Sequence, residues 1–119
     1  MNSSERRRYP RHETDIAVTI HKDKEAIPAT MINASEGGIE IISDRGFSPD
    51  TKVNVSLKYI DDYTIHGTVK WAGLVTQGDE THYRIGIEAD QILIESETDT
   101  TESPSRSEFV KRLLSEKGK

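Results

Sequence analysis

From Asp15 to Ala89 the chain alternates apolar and polar residues with a period of two, and no other feature narrows its fold as far. Successive side chains of an extended strand point to opposite faces, so this alternation marks strands with one buried and one wet face. Ile16, Val18 and Ile20 share a face, with Ala17, Thr19 and His21 opposite. Ile27, Ala29 and Met31 repeat the pattern, and Ile39 and Ile41 resume it after Gly37-Gly38. Val53, Val55, Leu57 and Tyr59 alternate with Lys52, Asn54, Ser56 and Lys58. Tyr63, Ile65, Gly67, Val69 and Trp71 alternate with Thr64, His66, Thr68 and Lys70, and Tyr83, Ile85, Ile87 and Ala89 close the series. Turn-forming residues separate the runs: Lys22-Asp23-Lys24, Gly37-Gly38, Ser48-Pro49-Asp50, Asp61-Asp62 and Gln77-Gly78-Asp79. Six strands with short connections predict a mainly β fold, a small six-stranded antiparallel β-barrel, because closure removes the edges that an open sheet must protect.

The two ends read differently. Residues 1–8 hold no apolar position after Met1, and Pro10 biases Tyr9 away from the helical region. Residues 1–13 are therefore expected to form a flexible, Arg-rich arm ahead of a barrel over 14–94. Residues 95–105 are polar and acidic and read as a linker. Ser105 followed by Glu108 fits a capping box, and Phe109, Val110, Leu113 and Leu114 lie on one face of a short C-terminal helix over 106–119. That apolar face suits a plug for one end of the barrel.

Composition removes whole classes of function. The 119 residues, a third of them hydrophobic, support one small core. With no cysteine there is no disulfide, thiolate metal site or cysteine nucleophile. A net charge of −5 speaks against DNA or another long polyanion spread over the surface. That total averages an acidic body with an arm whose residues 5–11 sum to +3, four arginines against Glu5, so one compact anion held at the arm stays compatible with it. No apolar stretch is long enough to span a bilayer and the N-terminus lacks a signal-peptide core, which predicts a cytoplasmic protein with no membrane insertion. His12, His21, His66 and His82 show no metal-ligand spacing, and no glycine-rich phosphate loop precedes a helix. The expectation is a protein that is not an enzyme and carries no metal or cofactor.

Two short motifs remain. Arg7-x-x-x-Arg11 lies on the arm, and Asn33-x-Ser35-x-x-Gly38 lies where the second strand meets the third. Alone, the first reads as a solvated cluster and the second as a polar turn. Asn33 and Ser35 keep the parity of Met31, so a regular strand would send both side chains to one face. Gly37 and Gly38 allow positive φ or a close backbone approach. In order, with Val69-x-Trp71, the strand Tyr83-x-Ile85-Gly86-Ile87 and a C-terminal helix, the combination resembles the PilZ domain over roughly residues 5–115.

The resemblance implies a bacterial receptor for the second messenger cyclic di-GMP that signals by changing shape. Arg7 and Arg11 would then contact guanine and phosphate, a role that suits the planar, forked guanidinium better than lysine. Asn33 and Ser35 would bond a base edge or phosphate, and Gly37 and Gly38 would let backbone N–H groups approach. Asn33 stands where many members have Asp, giving up a carboxylate that could accept a charge-assisted bond. Arg8 extends the cluster. Arg6 holds the position that the family associates with an intercalated ligand dimer. Trp71 would flank a base or serve as a core or lid residue, and His82 and Arg84 are expected to be solvated. Such a stand-alone receptor would act through an unidentified downstream protein of motility or biofilm machinery. The other reading is a PilZ-like protein-interaction module with weak or no nucleotide binding.

Overall fold

The structure, a computed structural model, describes residues 11–58, 62–95 and 101–117. Tyr59 and the arm up to Pro10 lie outside them. The elements are β1 (His12–Lys22), β2 (Glu25–Ser35), β3 (Gly38–Ser43), β4 (Lys52–Lys58), β5 (Asp62–Gln77), β6 (Glu80–Glu95), β7 (Thr101–Glu102) and α1 (Arg106–Lys117). The strands run β3-β2-β1-β4-β5-β6-β7, every pair antiparallel, and β3 also pairs with β6. That last pairing closes six strands into a barrel-like ring and removes the open edge. Ile20, Ile41, Val55, Ile65 and Ile85 are fully buried inside it.

α1 starts on the Ser105 cap, whose Oγ accepts from the Glu108 N–H at 3.2 Å. Phe109, Val110 and Leu113 join the barrel core, with the Phe109 ring centred 5.7 Å from that of Tyr63. Through these three side chains the helix shares one hydrophobic core with the strands.

Three departures from the simple alternation have physical causes. The stretch 95–105 is not linker throughout: Thr101 and Glu102 pair with Glu95 and Ile94 as β7, and Arg112 on α1 binds the Glu102 carboxylate at 2.8 Å. Backbone pairing needs no apolar residues, so composition hid it. Second, β5 and β6 each run 16 residues and meet at Gly78, where φ is +63°. β4 pairs β5 only up to Thr68, so the distal hairpin stands clear of β4 and Leu74 is 64% exposed. Third, two bulges reset which face points inward. The register shifts between Met31 and Asn33, so Ala34 takes the core position, and Asn33 and Ser35 turn away from Met31 instead of joining it. A second shift between Val69 and Trp71 lifts the indole out of the core. Bulges commonly re-aim side chains in this way. The first is braced by the Thr14 hydroxyl, which donates to the Met31 carbonyl at 2.8 Å.

Candidate ligand-binding site

The two bulges deliver their residues to the same outer face of the ring. Asn33 on β2 stands opposite Glu40 on β3, Glu40 opposite Gly86 on β6, and Gly86 opposite Trp71 on β5. This makes a row across four strands. Gly86 is essential to it, because a Cβ there would collide with the indole that lies across β6. Trp71 is 41% exposed, so it is a surface wall and not a core residue.

At one end of the row the β2–β3 turn folds tightly. The Ser35 hydroxyl accepts from the Gly37 N–H at 3.1 Å. Gly38 sits at φ +143°, and a Cβ on it would overlap the Ile87 carbonyl oxygen. Only glycine lets β3 start that close to β6. Together these features shape a cleft of about 240 Å³ lined by Arg11, Asn33, Ser35, Gly37, Gly38 and Trp71, with Glu40, Lys70 and Glu88 among its other walls. Six of the residues singled out in the sequence thus meet at one place. Arg6, Arg7 and Arg8 lie outside the described residues.

Glu40 and Arg84 were not legible as site residues. Glu40 is the one buried charged side chain among the described residues. Its Oε2 accepts from Asn33 Nδ2 at 2.8 Å and from Arg84 Nε at 2.6 Å, and it is ion-paired with Arg84 Nη2. Arg11 Nη1 stands 3.7 Å from Oε1. Arg84 is therefore not merely solvated; it is the counter-ion that allows a carboxylate to be buried here. Lys70 and Glu88 pair loosely at 3.9 Å. The described walls of the cleft carry two cations, Arg11 and Lys70, against two anions, Glu40 and Glu88.

His82 lies apart from this cleft. Its ring nitrogens face Asp44 at 3.1 Å and Glu80 at 3.2 Å, and those carboxylates raise its pKa above the usual 6.5. Among the described residues no group of three or more His, Asp or Glu side chains is placed to hold a metal ion, and no helix is long and apolar enough to cross a membrane.

The PilZ domain profile matches residues 5–101, which spans the arm motif, the β2–β3 motif and all six strands of the ring. The chain belongs to the PilZ family. PilZ domains are typically receptors for cyclic di-GMP and are non-catalytic. No curated protein matches this PilZ chain in sequence. Among solved structures it is similar to the Bacillus subtilis inhibitor of motility, MotI/DgrA, with a TM-score of 0.63 at 16% identity. The alignment covers 94% of this chain and 51% of the other, so this PilZ chain spans about half the length of that relative.

Proposed function

We propose that this PilZ domain binds cyclic di-GMP in the cleft beside Arg11 and signals when its Arg-rich arm orders around the ligand. One observation carries the reading: Arg11, Asn33, Ser35, Gly37, Gly38 and Trp71, from three separate stretches of sequence, line a single cleft where the arm enters the barrel. The charge balance of the described walls is near neutral, whereas the ligand carries two phosphates. The missing positive charge is what Arg6, Arg7 and Arg8 would bring. Each well-formed bidentate arginine contact contributes about 1–3 kcal/mol, and ordering each arm residue costs about 1–2 kcal/mol. The two are close enough for ligand to decide the state of the arm, which makes the arm a switch element.

In this reading Arg7 and Arg11 grip guanine and phosphate, Asn33 and Ser35 meet polar edges, and the backbone at Gly37 and Gly38 approaches closely. The indole of Trp71 offers a base a flat partner. Arg6 favours a second, stacked ligand molecule. The output passes to a downstream protein in the cytoplasm; the name of the Bacillus subtilis relative makes motility machinery the first place to look, with biofilm machinery next.

Isothermal calorimetry with cyclic di-GMP tests this. Binding at micromolar concentration or tighter, with Arg11→Ala or Arg7→Ala weakening it by about tenfold or more, is the expected result. Two ligands per chain would support the stacked dimer, and one would remove it. An absence of heat at high protein concentration would favour the second reading, a protein-interaction module. Its supporting observation is the apolar surface of Leu74 and Val75 on the β5–β6 hairpin.

A further inference from the structure

Glu40 presents an unusual distribution of partners. Its Oε2 accepts hydrogen bonds from Asn33 Nδ2 and Arg84 Nε and is ion-paired with Arg84 Nη2, while among the described residues Oε1 faces only Arg11 at 3.7 Å, beyond hydrogen-bond length. Each carboxylate oxygen has two lone pairs, so Oε1 retains accepting capacity on the cleft wall. The same arrangement fixes Asn33. Its amide nitrogen gives one of its two hydrogens to Glu40, which turns Oδ1 away from the carboxylate as an acceptor it can offer elsewhere. Residues 33 and 40 are register partners, so the two side chains stand beside each other on neighbouring strands.

We propose that Glu40 is the specificity-determining residue of the cleft, and that Glu40 with Asn33 reads the Watson–Crick edge of a guanine. This inference rests on the cyclic di-GMP reading above. Guanine presents two adjacent donors on that edge, N1–H and the 2-amino group, and two adjacent acceptors match them: Oε1 of Glu40 for N1–H and Oδ1 of Asn33 for the amine. Adenine presents an acceptor at N1, which would face the carboxylate with repulsion and no hydrogen bond. A carboxylate one strand away thus supplies the anion that Asn33 lacks. Arg84 holds it oriented. Arg11, whose ion pair among the described residues is this long contact, leaves Oε1 for the O6 and N7 atoms of the same base, so the guanine occupies the place Arg11 vacates.

Glu40→Gln is a sharp probe because the site dictates how the amide must lie. Its oxygen has to face the donors of Arg84 and Asn33, which puts the NH2 where Oε1 was and turns an acceptor into a donor. Calorimetric titration of wild type and Glu40→Gln with cyclic di-GMP and cyclic di-AMP should show the guanine-to-adenine affinity ratio falling by about tenfold or more in the variant. A purely structural role for Glu40 would weaken both ligands alike, and an unchanged ratio overturns the proposal. Should the variant not fold, wild type decides alone: an N1-methylguanine analogue of the ligand is expected to bind about tenfold weaker or worse, and equal affinity overturns the assignment. Wild type that binds no cyclic di-GMP removes the receptor reading itself, a result distinct from binding without discrimination.

Discussion

At Gly38 a single hydrogen atom in place of a side chain decides whether β3 can start against β6. Gly38→Ala would meet both a φ of +143° and the Ile87 carbonyl. It is expected to lower stability by about 1–3 kcal/mol, read from the urea midpoint by circular dichroism. His82 gives a pH-dependent counterpart. Its folded pKa is raised by Asp44 first and Glu80 second, so its contribution to stability is fully present below the unfolded value of 6.5. That contribution is lost as the pH rises through the folded value. The midpoint difference between wild type and His82→Gln should accordingly be larger in mildly acidic buffer than in alkaline buffer. Residue by residue, what the sequence revealed follows a rule. Arg11, Asn33, Ser35 and Gly38 were visible because they fall in short local motifs whose residue types are fixed by chemistry. Glu40 and Arg84 were not, because their bond joins positions 44 apart and exists only once β2, β3 and β6 are in register.

Among the elements, the bulges are what the alternation could not show. In an unbroken β2, Asn33 would point inward with Met31; in an unbroken β5, Trp71 would point inward with Val69. Nothing in composition marks either shift, yet without them the cleft has neither a polar floor nor an aromatic wall. The helix was easier to read, since its cap and apolar spacing are both local signals. Leu113→Ala should cost about 2–5 kcal/mol by opening a cavity in the core, whereas Ser105→Ala should cost about 1 kcal/mol by removing the cap. Both are measurable by chemical denaturation. The distal hairpin should behave in the opposite way: Leu74→Ser, at a position that is 64% exposed, is expected to stay within about 0.5 kcal/mol of wild type.

At the level of the molecule, the pairing of β3 with β6 and the insertion of α1 into the barrel core leave one contiguous set of buried side chains. Unfolding should therefore be a single cooperative transition, with the helical and sheet signals of circular dichroism lost together. Two separate transitions would mean that α1 docks independently. The fold class was readable from the alternation because half-buried strands leave that trace. The length of the hairpin and the seventh strand left none, one lying beyond the reach of β4 and the other held by backbone bonds and the Arg112–Glu102 pair, neither of which needs apolar residues. One further consequence comes from the bulge that expels the indole. The chain has a single tryptophan, and it stands half in water on the wall of the cleft, over Gly86. Its ultraviolet emission is thus an optical gauge built into the protein. Anything that fills the cleft should shift that emission to shorter wavelength and shield it from iodide, so occupancy can be followed without attaching a dye.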